Sequence, residues 1–137
     1  MKIVVIGCGR IGAHVARDLA ASGHQVCVVD QDADSFGRLG EGFVGQTVVG
    51  PGFDQAVLEQ AGVARADAVA VLTNLDSANF MVARAVIDLF GVRRVTVRVN
   101  DPEFSTVFPE LGLDTVNVPD LVCSRIRAGL PTGGEGA

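Results

Sequence analysis

Residues 1–30 read MKIVVIGCGRIGAHVARDLAASGHQVCVVD, and this stretch decides the fold. A short apolar run at residues 2–6 leads directly into the turn Gly7-Cys8-Gly9-Arg10-Ile11-Gly12. A helical stretch follows, and a second apolar run ends at Asp30. Because a glycine turn alone is a weak signal, the full order of strand, glycines, helix, strand and acid carries the interpretation. It predicts a site for a nucleotide's phosphates and ribose.

Each glycine of this turn has a separate expected role. Gly7 allows the tight turn, Gly9 lets a pyrophosphate approach the backbone, and Gly12 lets the new helix pack closely on the sheet. The free N–H groups and the positive dipole end of that helix attract anionic oxygens. Asp30 is expected to accept hydrogen bonds from ribose hydroxyls, and its charge would repel a 2′-phosphate.

Length and composition favour one domain with a sizeable core. The chain has 137 residues, of which 48% are hydrophobic, and its net charge is −5. The apolar residues fall in short runs, which are typical of buried parallel strands and too short to span a membrane. The negative charge argues against nucleic acid as the main partner.

Strands and helices are predicted to alternate along almost the whole chain. Strands are expected at 2–6, 25–29, 47–49, 68–72, 94–99 and 115–118, and helices at 10–22, 33–39, 54–61, 77–90, 103–110 and 119–129. Short connections force right-handed crossovers, so we predict an α/β fold with a doubly wound, Rossmann-like parallel sheet. Six strands in the order 3-2-1-4-5-6 would place the ligand crevice between strands 1 and 4. Residues 1–130 would form this domain, and residues 131–137 a flexible tail.

Several polar side chains besides Asp30 invite both a functional and a structural interpretation. Arg10 could pair with a terminal phosphate or simply point to water at the helix start. Thr73 and Asn74 follow the fourth strand, where they could contact the nucleotide or only cap the next helix, as could Asp76. Asn79 on that helix is expected to be solvated.

A charge near the end of an otherwise buried strand requires a partner. Arg98 lies between Val97 and Val99 in the fifth predicted strand. Either a phosphate or a carboxylate such as Asp101 would satisfy it, and the sequence leaves both alternatives open.

Cysteines and paired acids give little sign of other chemistry. The spacing of Cys8, Cys27 and Cys123 is unlike that of metal ligands, so we expect burial as small apolar side chains. A redox role for Cys8, beside a helix N-terminus, is a minor alternative. Asp32 and Asp34 are expected to start a helix and not to bind a metal.

Taken together, these motifs identify a family resemblance. The chain resembles the N-terminal nucleotide-binding (TrkA-N) domain of regulator-of-potassium-conductance (RCK) proteins of the TrkA/KtrA type. The resemblance covers residues 1–129 and includes the following motifs: Gly7-Cys8-Gly9-Arg10-Ile11-Gly12, Val28-Val29-Asp30, Leu58-Glu59-Gln60-Ala61-Gly62, Ala66-Asp67-Ala68, Leu72-Thr73-Asn74 with Asn79, and Val97-Arg98-Val99-Asn100-Asp101-Pro102.

By this resemblance, the chain would be a non-enzymatic, cytoplasmic regulatory subunit. It would bind NAD(H) or ATP/ADP, form a homodimer that assembles into a larger ring, and gate a membrane potassium channel or transporter at the inner face of the membrane. The last helix would be the start of the family's crossover helix. The smaller C-terminal domain common in the family would be missing from a fragment or be supplied by another polypeptide.

The resemblance also assigns the site residues. The backbone of Gly7, Gly9, Ile11 and Gly12 would hold phosphates, and Asp30 would hold ribose. Arg10 would reach a terminal phosphate, either on its own ligand or on one held across the dimer, while Thr73, Asn74 and Arg98 would line the site.

One departure from the family pattern follows the third strand. Pro51 stands where the family usually has an acid near the adenine. Phe53 stacking on the base, or Asp54 replacing the acid, are the two alternatives.

Two other functions remain open from the sequence. An NAD-dependent oxidoreductase fragment would need a substrate domain and a proton donor, neither of which the sequence suggests. An interaction module with a vestigial nucleotide site is conceivable because of Pro51.

Overall fold

The computed structural model describes residues 1–106 and 113–131, which form a six-stranded parallel sheet with helices on both faces. The strand order is β3-β2-β1-β4-β5-β6, as predicted. Neighbouring strands pair in parallel throughout, with Val4 opposite Cys27 on one side and Val69 on the other. The strands are β1 (Lys2–Ile6), β2 (Gln25–Asp30), β3 (Gln46–Val49), β4 (Ala68–Val71), β5 (Val95–Val99) and β6 (Asp114–Asn117).

The described residues form four α-helices and three 3₁₀ helices, of which all but the last α-helix lie between strands. The α-helices are α1 (Arg10–Ala21), α2 (Gln55–Gln60), α3 (Asp76–Phe90) and α4 (Val118–Gly129), and the 3₁₀ helices span Ala33–Leu39, Val63–Arg65 and Pro102–Thr106. The predicted helix at 33–39 is confirmed in its bounds, and it is a 3₁₀ helix. Its bonds close after three residues, as from the N–H of Ser35 to the carbonyl of Asp32 at 3.0 Å, and Gly37 and Gly40 weaken any longer helix.

The predicted end of the last strand is wrong, and two other predictions extend beyond the described residues. The predicted helix at 103–110 lies partly outside the described residues, and its described part is 3₁₀. Val118 was expected to end the last strand but begins α4, because the side chain of Asn117 accepts from the N–H of Asp120 and caps the helix there. Residues 132–137 of the predicted tail lie outside the described residues.

Alternation along the central strands divides the core between the two faces of the sheet. Val4 and Ile6 of β1 belong to one buried cluster, which also includes side chains of α2 and α3. Ile3 and Val5 belong to the other, which includes Ala13 and Ala16 of α1. Burial on both faces explains why these strands are almost continuously apolar.

Helix α4 is the exception to this packing. None of its residues is buried, and Cys123 is exposed, so the prediction that all three cysteines are buried is wrong for this one. Along the described part of the chain, no helix is both long enough and apolar enough to cross a bilayer.

Candidate functional site

The glycine turn connects β1 to α1 and forms the floor of the candidate site. Gly7 has a φ of +106°, and a Cβ there would lie 2.8 Å from the backbone nitrogen of Thr73. A Cβ on Gly12 would lie 1.8 Å from the carbonyl oxygen of Gly7. The fold itself therefore requires both of these glycines.

Gly9 differs from the other two glycines of the turn. Its φ is −77°, which any residue adopts, and a Cβ there would meet nothing within 4 Å. The fold gives no reason for glycine at this position. The space beside Gly9 is open, and a ligand would need this space to approach the backbone closely.

Helix α1 begins without a side-chain cap. Gly9 is its N-cap, and its first turn contains no acidic residue. The first intrahelical bond is donated by Ala13 to the carbonyl of Gly9, at 2.9 Å. The N–H groups before Ala13 therefore keep the capacity to bind an anion, and the helix dipole favours a negative charge there.

Asp30 is held against the glycine turn from the end of β2. Its Oδ2 accepts from the N–H of Cys8 at 2.7 Å, and its Oδ1 accepts from the N–H of Asp32 at 2.8 Å. Each carboxylate oxygen has a second lone pair available for a ligand hydroxyl. The two bonds orient the carboxylate beside the phosphate-binding turn.

The wall opposite Asp30 is built on a buried asparagine. Asn79 is 0% exposed, so the prediction that it is solvated is wrong. Its Oδ1 accepts from the N–H of Thr73 at 3.1 Å and from the Thr73 hydroxyl. Its Nδ2 donates to the carbonyls of Thr73 and Arg98, both at 2.9 Å. Asn79 thus joins the end of β4 to the end of β5.

The first turn of α3 makes a second connection to the loop after β5. The predicted cap by Asn74 or Asp76 is wrong, because Leu75 is the N-cap and contributes no side-chain bond. Asp76 instead accepts from the N–H groups of Asn100 and Asp101, both at 2.7 Å. These bonds explain why a carboxylate can be buried there.

Arg98 lines the site, and no carboxylate among the described residues forms an ion pair with it. Its Nη1 donates to the carbonyl of Leu72 at 3.5 Å, and its Nε is buried with no bond among the described residues. Asp101 accepts from the N–H of Glu103 and forms no ion pair with Arg98. Of the two partners considered from the sequence, Asp101 is excluded.

These groups surround a cavity of about 530 Å³ over the glycine turn. Eight of the nine predicted site residues line it, and Gly12 supports the wall through its contact with Gly7. Sequence reasoning missed Ser35 and Arg38, which also line it. The Nη1 of Arg38 donates to the carbonyl of Cys8 at 3.3 Å. The full lining is Gly7, Gly9, Arg10, Ile11, Asp30, Ser35, Arg38, Leu72, Thr73, Asn74 and Arg98.

The charge of this lining favours an anionic ligand. Arg10, Arg38 and Arg98 contribute three positive charges, against the single negative charge of Asp30. Within the described residues, none of the three arginines forms an ion pair with a carboxylate. A phosphate group would supply the missing counter-charge.

Cys8 is placed for packing and not for reactivity. It is 0% exposed, and its Sγ lies 3.4 Å from the carbonyl oxygen of Ser35. Burial, together with the charge of Asp30, raises the pKa of the Cys8 thiol, although Arg38 opposes the shift. The thiolate that redox chemistry needs is therefore disfavoured.

A smaller cavity of about 160 Å³ lies beside the first, with Asp30, Thr73 and Asn74 among the walls common to both. Phe53 lines it and is 48% exposed. Asp54 does not line it, because its Oδ1 accepts from the N–H of Ala56 at 2.8 Å and caps α2. Of the two residues considered for contact with the base, Phe53 and Asp54, the geometry favours Phe53.

Carboxylates elsewhere offer no comparable site. Asp32 caps the 3₁₀ helix by accepting from the N–H of Asp34 at 3.0 Å. In residues 1–106 and 113–131, no three His, Cys, Asp or Glu side chains are grouped as metal ligands.

Comparison with protein families and curated proteins gives a consistent result. The model of the TrkA-N domain matches residues 3–119. The Trk system potassium uptake protein TrkA of Streptomyces coelicolor is 41% identical over 136 residues, which are 98% of this chain and 61% of that protein. A TrkA homolog of Pyrococcus abyssi is 34% identical over 111 residues, 81% of this chain and 49% of that protein. The chain thus spans about half to three-fifths of the length of these two relatives.

Solved structures agree on the fold. The RCK domain of GsuK superimposes with a TM-score of 0.72 at 28% identity, covering 85% of this chain and 24% of that one. A GsuK channel bound to NAD and a GsuK bound to ADP give TM-scores of 0.71 and 0.70, each at 23% identity and covering 84% of this chain, and 21% and 30% of those chains.

Proposed function

The chain belongs to the TrkA-N domain family, and from this premise we propose that it is a nucleotide-binding regulatory unit of a potassium uptake system. The observation that carries the proposal is the cavity over the glycine turn. It combines uncapped N–H groups of α1, three arginines that form no ion pair with the described part of the chain, and the oriented carboxylate of Asp30. Phosphates and a ribose are the groups that such a combination recognises.

NAD(H) or ATP/ADP are the ligands that this site would take. Asp30 suits the free adenosine ribose that both present, and its charge disfavours a 2′-phosphate. Structures of GsuK, which has the same fold, are bound to NAD and to ADP. Arg10 and Arg98 stand at the cavity where a terminal phosphate or the second half of a dinucleotide would extend.

The function we propose is binding and not catalysis. The cavity lining among the described residues includes no histidine, lysine or cysteine side chain to exchange a proton near neutral pH. Ligand exchange would instead change the shape of an assembly that acts on a membrane potassium channel or transporter. The unit would lie in the cytoplasm, at the inner face of the membrane.

Helix α4 supports the proposal of a homodimer. Four apolar side chains on α4 or at its C-cap are about half or more exposed: Leu121 (63%), Val122 (49%), Ile126 (55%) and Leu130 (58%). An exposed apolar patch of this kind is typical of an interaction surface. We infer that α4 packs against a second copy, and that such dimers build the larger ring.

Thermal stabilisation by a nucleotide panel tests the ligand proposal. A ligand at one hundred times its Kd should stabilise the chain by about 2.7 kcal/mol, or roughly 10 °C in Tm. We expect this with NADH, ADP or ATP, a smaller effect with NADPH, and none after Asp30→Ala. Asp18→Ala is the matched control, because Asp18 is exposed on α1 and pairs only with His14. If no nucleotide stabilises the wild-type chain, a vestigial site is the better account, and hydride transfer by the chain would favour the oxidoreductase.

A further inference from the structure

The smaller cavity beside Asp30 lies where the base of a bound nucleotide would be recognised. Resting on the proposed function, we propose that Phe53 and two free amides form a purine pocket that accepts adenine and 6-oxopurines alike. The cavity is about 160 Å³ and adjoins the phosphate-binding cavity at Asp30, where the ribose would lie. A base attached to that ribose would therefore reach it.

Phe53 and α3 give this cavity the walls of a slot. A Cβ on Gly52 would lie 2.6 Å from Cγ2 of Ile6, so the backbone at Gly52 packs directly on the end of β1. The next residue, Phe53, lines the cavity and is about half exposed. Ala78 and Val82 of α3 line the same cavity. An aromatic face together with small aliphatic walls suits a flat base, and stacking on an aromatic ring tolerates any base.

Among the described residues, no carboxylate is left to select a 6-amino group. Asp54 caps α2 and is absent from the lining. Asp30 is the one acid in the described lining, and its remaining lone pairs are the ones expected to bind the ribose. A carboxylate only accepts hydrogen bonds, so it would have favoured adenine, whose 6-amino group donates.

The polar groups that do line the cavity are amides, from Gln31 and Asn74. Neither side chain forms a hydrogen bond to any other residue in the described parts of the chain. A primary amide has both a donor and an acceptor and exchanges them by rotation. Adenine presents a donor at position 6 and an acceptor at position 1, and hypoxanthine presents the reverse. The same amide can satisfy either base.

Calorimetric titration of the chain with ADP and IDP tests this inference, because the two nucleotides differ only in these base groups. We expect Kd values within about tenfold of each other, whereas a site with a dedicated partner for one base discriminates by about 10⁴ or more. Binding of ADP together with IDP affinity more than about tenfold weaker would overturn the inference and leave the proposed nucleotide site intact. Failure of ADP, IDP and NADH alike to bind would overturn both.

Variants of Phe53 test the stacking wall separately. Phe53→Ala should weaken ADP and IDP equally, by about tenfold or more, and Phe53→Tyr should restore both affinities because it keeps the ring. Val44→Ala is the control, since Val44 is 85% exposed and lines neither cavity. Unchanged affinity for ADP after Phe53→Ala would contradict the inference.

Discussion

At the scale of single residues, the three glycines of the turn separate folding from binding. Gly7 and Gly12 have no room for a Cβ, because each lies against backbone atoms. Gly9 has room, and its backbone conformation is ordinary. One sequence motif therefore contains two glycines that the fold requires and a third, Gly9, that the fold does not require.

Replacement of Gly12 by alanine should destabilise the chain. The new Cβ would lie 1.8 Å from the carbonyl oxygen of Gly7, so α1 must shift away from the sheet. We expect the free energy of unfolding to fall by about 1–3 kcal/mol in chemical denaturation. Gly42→Ala is the control, because a Cβ there meets nothing within 4 Å and its φ is not positive. Equal stability of the two variants would contradict the close packing of α1.

The raised pKa of Cys8 has a measurable consequence. At pH 8 little thiolate is available on a thiol whose pKa is raised by burial and by Asp30, and alkylation requires the thiolate. Iodoacetamide followed by peptide mass spectrometry should label Cys8 only after denaturation. Cys27, which is also buried with a raised pKa, should behave in the same way. Labelling of Cys8 in the native chain as fast as in urea would contradict the burial and the raised pKa of this thiol.

At the scale of secondary-structure elements, Asn79 holds two strand ends in register. Its amide forms hydrogen bonds both to Thr73, in the loop between β4 and α3, and to Arg98, near the end of β5. The position of two cavity residues thus depends on one buried side chain. Polar groups buried in this way are costly when a partner is removed.

Asn79→Ala should therefore affect both stability and binding. We expect the free energy of unfolding to fall by about 2–4 kcal/mol, because several buried partners lose their bonds. Nucleotide affinity should fall as Thr73 loses its anchor. Asn74→Ala, at an exposed asparagine without side-chain bonds to described residues, should change stability by less than about 0.5 kcal/mol. Denaturation curves in which both variants match the wild type would contradict the role of Asn79.

The strand order and the burial of Asn79 show how much of the fold the sequence could predict. Strand order followed from short connections and crossover handedness, and it is confirmed. Burial of Asn79 was also detectable, since it precedes the buried Val82, Ala83 and Val86 of α3 by three, four and seven residues. That periodicity was outweighed by the usual preference of asparagine for solvent.

No pattern in the sequence indicated that Arg38 would line the cavity. It lies in the 3₁₀ helix Ala33–Leu39, eight residues after Asp30, and its approach to the glycine turn depends on how that segment folds back over α1. The sequence predicts a helix there but not its type, and an α-helix would direct these side chains differently from the 3₁₀ helix. Its contribution to the cavity required the three-dimensional structure.

At the scale of the whole molecule, the central strands and α4 differ in burial. The central strands are buried on both faces of the sheet, whereas no residue of α4 is buried. A helix with exposed leucine, valine and isoleucine side chains gains stability from a second apolar surface. The proposed homodimer would provide that surface.

Ile126→Glu tests this assembly. A charge in a buried apolar interface is strongly unfavourable, so light scattering after size exclusion should show the wild type as a dimer and the variant as a monomer. Val44→Glu, at an exposed residue remote from α4, should remain dimeric. A monomeric wild type at high protein concentration would contradict the proposed dimer.

Titration of wild-type and Gly9→Ala chains with ADP and NADH, by calorimetry, tests most directly whether the glycine turn holds a nucleotide. Alanine fits the free fold at this position, so the free energy of unfolding should fall by about 1 kcal/mol or less. The account predicts micromolar binding by the wild type and at least about tenfold weaker binding by the variant, because the methyl group occupies the space of the phosphates. Equal affinity of the two chains, or no binding by the wild type, would contradict it.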